Sequence, residues 1–374
     1  MHSTYLRREH IHGLLLGVAI GDALGLPREN LCRRVGLKMF GRNPLRYQLL
    51  PFRGVCSDDT QLMLLTAQSL LKSRSDGKAF RRALQKRLSW YLLSFPVGAG
   101  RATLTAAAKC WLACLGLPTG VNSAGNGAAT RALVNALAMH GTGHRLSRWV
   151  AESTKLTHTH PLAIDGCQVL AALADHAAVC KTAEFDPAAA LEIGIQASSV
   201  AEIQGKLQEL AHFLQQRRSP AAVARHFGWD GYVSGFIVPT TIMATYCWLR
   251  YPNDFRRAVS SAVMLGGDTD SVAAIVGGLV GAHVGAQQLP PELVKGLGGY
   301  PHGPAWIAKM AERLSHWPHG PDDLHAAPAQ PTDPLGQLVR NLFTATLILP
   351  HLLLRAVYRL TTNCTPRRLR SPRS

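Results

Sequence analysis

The stretch GGDTDSVAAIVGGLVGAHVG, residues 266–285, decides how this chain folds. Its second half repeats glycine every fourth residue, at Gly277, Gly281 and Gly285. Glycine is a poor helix former, so a four-residue period that keeps it on one helical face indicates that another backbone packs closely there. The first half places Asp268 and Asp270 among hydroxyl side chains, where the helical pattern begins.

The same glycine period occurs near the N-terminus, at Gly13, Gly17, Gly21 and Gly25, with apolar residues between. We therefore predict two buried helices with smooth faces that could lie against each other. A membrane span is the weaker interpretation of either run. Each is shorter than about 18 uninterrupted apolar residues and contains His or Asp.

Two clusters of oxygen donors stand at predicted helix starts. One is Asp268, Asp270 and Ser271, and the other is Ser57-Asp58-Asp59-Thr60, far upstream. Either cluster alone is best interpreted as a helix cap, because Asp, Ser and Thr are ordinary N-terminal residues of helices. However, the chain has only 23 acidic residues, so two tight pairs favour a shared site. Four carboxylates brought together would repel one another unless hard divalent cations compensated them.

Three further stretches could line a polar pocket. Pro27 ends the first helix and exposes Glu29. The Gly/Asn loop at 122–129, NSAGNGAA, runs into a helix and could offer free backbone N–H groups to an anion such as a pyrophosphate, although an ordinary turn explains it as well. The histidines of THTHP, residues 157–161, could bind a metal, or could belong to a helix cap that precedes proline.

The composition describes a compact chain of 374 residues with 47% hydrophobic and 17% charged residues, which excludes a disordered protein. The net charge of +17 predicts attraction to partners that carry phosphate. Residues 28–53 hold seven basic residues and one acid, and residues 335–374 hold seven arginines and no acid. Nucleic acid is not expected as a partner, because no recognised binding motif appears and aromatics are only 7%. The eight cysteines show no zinc spacing, so we expect reduced thiols in a cytoplasmic protein.

Helical patterns cover most of the chain and alternating strand patterns are nearly absent, which predicts an all-α body. We assign residues 1–318 to one domain and residues 319–374 to a Pro-rich linker followed by a basic, apolar extension. The apolar run of this extension is broken by Pro350 and is too short to span a bilayer. It could form an interfacial or partner-docking helix, or a helix packed back on the domain.

The order and spacing of these motifs resemble the ADP-ribosylglycohydrolase family. The matching pieces are GDALGLPREN at 21–30, SDDTQLM at 57–63, NSAGNGAATRA at 122–132, THTHP at 157–161 and GGDTDSVAAIVGGLVGA at 266–282. The resemblance spans roughly residues 11–315 and implies a compact multi-helix orthogonal bundle.

It also implies an enzyme that uses two Mg²⁺ or Mn²⁺ ions to hydrolyse the bond between ADP-ribose and an acceptor. The acceptor would be a protein side chain such as arginine, or a small molecule. By position, the metal ligands would be Ser57, Asp58, Asp59, Asp268, Asp270 and Ser271. The catalytic carboxylates would be Glu29, Asp58 and Asp59, and the substrate would contact Asn122, Gly125, Asn126, Gly127 and His158.

The resemblance leaves two alternatives to this enzyme. The first is a catalytically silent protein that binds ADP-ribose or a related nucleotide. The second follows from the charge and is a basic protein that binds nucleic acid or an anionic membrane. We expect a monomer whose extension could contact a membrane surface or a protein.

Overall fold

The computed structural model of the chain describes residues 2–73, 76–113, 116–140, 144–180, 182–298, 300–317 and 328–362. These ranges contain the α-helices α1 His2–Gly25, α2 Arg33–Phe40, α3 Asp58–Ser73, α4 Gly77–Leu93, α5 Arg101–Cys110, α6 Ala129–Ala138, α7 His144–Lys155, α8 Pro161–Ala177, α9 Pro187–Ala197, α10 Ala201–Gln215, α11 Pro220–His226, α12 Ile237–Arg250, α13 Phe255–Val263, α14 Thr269–Val284, α15 Pro291–Gly296, α16 Pro304–Ser315 and α17 Pro334–Thr362. Two short strands, β1 Leu31–Cys32 and β2 Gly266–Gly267, pair antiparallel. The all-α prediction is confirmed.

Helices α1 and α14 form the central contact of the fold. A Cβ atom added to Gly13 would lie 2.0 Å from the carbonyl oxygen of Gly281, and one added to Gly17 would lie 2.0 Å from that of Gly277. Because the partner numbers fall as the α1 numbers rise, the two helices run antiparallel. The glycine faces therefore meet as predicted, with backbone against backbone.

This pairing also explains the hydropathy of the N-terminal helix. Residues Arg8–Arg28 are long and apolar enough to cross a membrane, but 89% of that window is buried inside the protein. Helices α3, α6, α8, α12 and α16 surround the α1 and α14 pair, and their apolar side chains form one continuous core. A buried core helix satisfies the same length and composition criteria as a membrane span.

The turn before α14 depends on two glycines with positive φ angles, 76° at Gly266 and 86° at Gly267. A Cβ atom on Gly267 would lie 2.0 Å from the carbonyl oxygen of Val233, so only glycine fits between β1 and the Val233 segment. The amide of Asp268 then donates to the same Val233 oxygen at 2.7 Å. The residues that form the turn thereby fix the position of Asp268 at the start of α14.

The C-terminal helix α17 packs on the body, as in the alternative of a helix packed back on the domain, and it continues through Pro350. The amide nitrogen of Asn341 donates to the backbone oxygen of Ser94 at 2.8 Å, and its oxygen accepts from Gln61 Nε2 at 3.0 Å. A proline in a helix removes one backbone hydrogen bond, and tertiary contacts of this kind can compensate for it. The predicted domain boundary at residue 318 lies outside the described residues.

One further difference concerns Cys32. This residue belongs to β1, in the segment between α1 and α3 that also contains the short helix α2. Cys32 is disulfide-bonded, whereas Cys56, Cys110, Cys167 and Cys247 are free thiols. The prediction of reduced thiols throughout is therefore wrong for Cys32, because spacing along the chain does not show which distant cysteines meet.

Candidate active site

The two acidic helix starts meet in space. Ser271 Oγ, in the first turn of α14, donates to Asp59 Oδ2 in the first turn of α3 at 2.7 Å. The Thr130 hydroxyl of α6 lies 3.3 Å from the other oxygen of Asp59. The antiparallel packing of α1 on α14 makes this contact possible, because it places the end of α1 beside the start of α14.

Asp22, on the buried face of α1, holds the first cluster in place. Its two carboxylate oxygens accept from the Ser57 amide at 2.8 and 2.9 Å, and one of them accepts from the Thr60 amide at 3.1 Å. Ser57 Oγ in turn accepts from the Asp59 amide at 3.2 Å, so Ser57 caps α3. Sequence reasoning did not single out Asp22 as a site residue, although the quoted GDALG piece contains it.

The second cluster does not behave as a helix cap. Asp268 occupies the N-cap position of α14, but its side chain makes no capping hydrogen bond. Its Oδ2 accepts from Asn126 Nδ2 at 2.6 Å, and Asn126 Nδ2 also contacts Thr240 Oγ1 at 2.9 Å. Asp270 Oδ1 is buried and has no hydrogen-bond partner among the described residues. The capping interpretation therefore holds for Ser57 and fails for Asp268.

Burial and mutual repulsion dominate the electrostatics of the cluster. Burial raises the pKa of Asp59 to about 8, and the charges of Asp22 and Asp268 act in the same direction. Burial also raises the pKa of Asp58 and of Asp270 well above the ordinary range, with repulsion from Glu29 and other carboxylates added. Glu29 is half-buried and accepts from Asn30 Nδ2 at 2.8 Å. All the predicted acidic residues thus belong to one electrostatic group.

The donor atoms suit a hard cation. They are carboxylate and hydroxyl oxygens, and the buried Asp270 Oδ1 lacks a donor among the described residues. Among all the residues that the structure describes, no three Asp, Glu, His or Cys side chains stand close enough together to hold an ion by themselves. An ion here would therefore also need Ser57, Ser271 or water as ligands.

The predicted Gly/Asn loop lies next to the second cluster and against His158. A Cβ atom on Gly127 would lie 3.1 Å from His158 Cε1, and one on Gly125 would lie 3.3 Å from His158 Nε2. The Gly125 amide donates to Ser123 Oγ at 3.2 Å, and the Asn126 amide donates to the Gly235 oxygen at 3.1 Å. The prediction of free amides is therefore wrong for these two residues, because the loop uses their N–H groups to fix its own shape.

The two histidines of THTHP have different roles. Burial lowers the pKa of His158 to about 3, and the buried Arg131 guanidinium lowers it further, so the ring is neutral. His160 Nδ1 accepts from the Leu162 amide at 3.2 Å, which makes it the cap of α8. Asn122 is exposed one residue after Val121, whose backbone pairs with His158. Sequence reasoning also missed Phe236, which pairs with Gly125 and is 50% exposed.

A cavity of about 330 Å³ lies between the segment before α3 and the helix α17. Its wall includes Cys56, Thr60 and Gln61 of the α3 side and Arg340 of α17, but none of the carboxylates. The cavity is connected to the cluster through Thr60, whose hydroxyl donates to Asp22. We therefore locate the candidate active site at the carboxylates and not at the cavity.

A sequence profile described as ADP-ribosylglycohydrolase matches residues 3–323, which is most of the chain. The chain belongs to the ADP-ribosylglycohydrolase family. This confirms the resemblance seen in the motifs, and it makes the protein a hydrolase of glycosidic ADP-ribose linkages.

Several relatives agree with this assignment to the ADP-ribosylglycohydrolase family. The chain is 29% identical to the ADP-ribosyl-[dinitrogen reductase] glycohydrolase of Rhodospirillum rubrum, over 74% of this chain and 86% of the relative. It is also 29% identical to an ADP-ribosylarginine hydrolase of Pseudomonas putida, over 81% and 76%. A solved structure titled "ADP-ribosylglycohydrolase-related protein complex" has a TM-score of 0.64 at 25% identity and covers 83% of this chain and 98% of its own.

Proposed function

We propose that this protein releases ADP-ribose from modified protein side chains, with arginine as the preferred acceptor, in a reaction that depends on two Mg²⁺ or Mn²⁺ ions. The hydrogen bond from Ser271 to Asp59 is the observation that carries the proposal, because it joins the two acidic clusters into one site. A helix cap would not require the clusters to meet.

The residues that would hold the ions are Ser57, Asp58, Asp59, Asp268, Asp270 and Ser271. Divalent ions bound there would neutralise the buried carboxylates and polarise oxygen atoms of the substrate or of water. Asn126 supports this arrangement from outside, since its amide fixes one oxygen of Asp268 and leaves the other free to turn toward a ligand. Such outer hydrogen bonds orient metal ligands in general.

The reaction itself is a displacement at C1″ of the ribose. A bond forms between C1″ and a water oxygen, the bond from C1″ to the acceptor nitrogen breaks, and the water proton passes through a carboxylate to the leaving guanidine. Glu29, Asp58 and Asp59 are the candidate carriers of this proton. Glu29 is more exposed than the two buried aspartates, which favours it as the group that exchanges protons with solvent.

The loop beside the carboxylates supports a role in holding the ADP moiety. Gly125 and Gly127 leave room over the His158 ring, where side chains would collide. The neutral His158 adds no charge of its own, so Arg131 behind it supplies the positive field for a diphosphate. Phe236, which pairs with Gly125, offers an exposed ring for stacking against a base, and Asn122 is exposed three residues before Gly125.

One observation supports arginine as the acceptor. The Pseudomonas putida relative is named for ADP-ribosylarginine, and it matches 81% of this chain. Small-molecule conjugates of ADP-ribose would fit the same chemistry.

The test is to incubate the protein with arginine-, serine- and glutamate-linked ADP-ribosyl peptides, with Mg²⁺, with Mn²⁺ or with a chelator, and to measure free ADP-ribose. We expect release from the arginine peptide that stops on chelation and falls by at least about 100-fold in Asp58→Asn and Asp268→Asn. The exposed Glu202→Gln variant is the matched control and should keep full activity. Release that persists in both variants with the metal chelated would refute the proposal, and ligand binding without release would indicate a silent binder.

A further inference from the structure

Helix α17 exposes a row of large apolar side chains. We call them the apolar stripe, and each is half or more exposed: Leu335, Val339, Leu342, Phe343, Leu349 and Leu353. They recur at helical spacing, so they share one face of the helix. Among the exposed residues described between 335 and 353, Thr346 alone has a polar side chain. A soluble protein rarely leaves such a continuous face uncovered.

The opposite face of α17 is firmly packed, so the stripe does not result from an undocked helix. Asn341, Thr344 and Ile348 are buried, with exposed fractions of 0%, 1% and 8%. Arg340 donates to the backbone oxygen of Cys56, which anchors the helix to the segment before α3. The helix therefore has one face on the body and one apolar face toward solvent.

Segments that contact α17 also expose large apolar side chains. Ser94 accepts a hydrogen bond from Asn341 on the packed face of α17, and its chain neighbours Leu93 and Phe95 are 49% and 67% exposed. Arg53 lines the same cavity wall as Val339 and Phe343 of the stripe, and the adjacent Phe52 is 87% exposed. Exposed rings at the edge of an apolar face are typical of segments that rest at the boundary between lipid and water.

The surroundings of the stripe are basic. The ring of His351 in α17 stacks on Phe40 of α2 with centroids 6.0 Å apart, which places α2 and the loop after it along the helix. Arg34 of α2 and Arg42 of that loop are exposed. Asp333, the exposed acid just before the stripe, accepts hydrogen bonds from the Gly336 amide and the Tyr300 hydroxyl. An apolar face with a basic border matches an anionic lipid surface.

We propose that the apolar stripe docks on the surface of an anionic phospholipid membrane, with α17 lying in the plane of the interface. A second copy of the chain fits less well, because a two-fold contact through the stripe would bring the two basic borders together. Docking through α17 would leave the carboxylate site on the rest of the body unchanged. The proposal is independent of the acceptor that the enzyme prefers.

The experiment is a flotation assay of the full-length protein with two kinds of vesicle. One is phosphatidylcholine alone, and the other is phosphatidylcholine mixed with phosphatidylglycerol at about 7:3. The test variant is Leu342→Glu combined with Leu349→Glu, and the matched control is Val179→Glu. Val179 is 52% exposed after the end of α8, outside the stripe. Circular dichroism and hydrolysis of a soluble substrate show whether each variant keeps its fold.

We expect the wild-type protein and Val179→Glu to bind the anionic vesicles at least about tenfold more tightly than the neutral ones. This binding should weaken as the salt concentration rises. The double variant should lose at least about tenfold in binding while it keeps its fold and hydrolysis rate. Equal binding by the folded double variant would overturn the proposal. So would a wild-type protein that floats with neither vesicle, or a dimer in sedimentation that the double variant dissociates.

Discussion

Replacement of Gly17 by alanine tests the contact on which the fold and the site both depend. The new Cβ atom would lie 2.0 Å from the carbonyl oxygen of Gly277, where real Cβ atoms are never found, and the obstacle is backbone on a buried helix. Overpacking typically costs about 1–3 kcal/mol and occasionally more, whereas alanine gains about 0.5–1 kcal/mol over glycine in a helix. Because no flexible side chain can move aside, we expect a net loss of about 2 kcal/mol or more.

Gly205→Ala is the matched control, since Gly205 lies inside α10 and a Cβ atom there would meet nothing within 4 Å. This variant should gain about 0.5–1 kcal/mol from helix propensity alone. Urea titration followed by circular dichroism measures both, and the two midpoints should move in opposite directions from the wild-type value. Equal midpoints, or a Gly17→Ala protein as stable as the wild type, would refute the close contact of α1 with α14.

Three further results follow from named contacts. Asn126→Ala removes the donor that orients Asp268 and should weaken Mn²⁺ binding about 10–100-fold in calorimetry. Asn341→Ala removes the hydrogen bonds of Asn341 to Ser94 and to the buried Gln61, and should lower the free energy of unfolding in urea titration by about 1–3 kcal/mol. The exposed Thr346→Ala should change it by no more than about 0.5 kcal/mol. The pKa of His158 is about 3 in the folded protein and about 6.5 in the unfolded chain. Its contribution to the free energy of unfolding is therefore complete above pH 6.5 and is lost as the pH falls toward 3. His158→Gln should therefore show a smaller loss of urea midpoint between about pH 7 and pH 4.5 than the wild type.

The opposite results would identify the error in each case. Unchanged Mn²⁺ affinity in Asn126→Ala would mean that Asp268 is not a ligand. A loss in Thr346→Ala equal to that in Asn341→Ala would mean that the buried face of α17 is assigned wrongly. An unchanged pH dependence in His158→Gln would mean that other groups set the acid sensitivity.

The sequence was informative where physical chemistry allows only one residue type. Backbone contact between helices requires glycine, so the period at Gly13, Gly17 and Gly21 predicts α1 and its contact face from the sequence alone. The two acidic clusters were recognisable for a related reason, because carboxylates are rare in this chain. Their meeting is confirmed by the bond between Ser271 and Asp59.

The sequence was uninformative where a polar group forms its hydrogen bond with a residue far away along the chain. Asp268 at a helix start looks like a cap, and only the fold shows that Asn126, 142 residues away, donates a hydrogen bond to its carboxylate. Asp22 looks like a residue inside an apolar helix, and only the fold shows that it binds the amides of α3. The prediction of a free amide at Asn126 is wrong for the same reason, because its acceptor on Gly235 comes from a distant segment.

The pairing of α1 with α14 also sets the order in which the chain can mature during synthesis. Gly281, the partner of Gly13, is synthesised more than two hundred residues after it. At about 5–20 residues per second this delay is roughly 10–50 seconds. Throughout that interval the apolar helix α1 lacks the glycine face of α14 that covers it in the folded protein. The hydrolase therefore assembles its active site only after α14 has been synthesised.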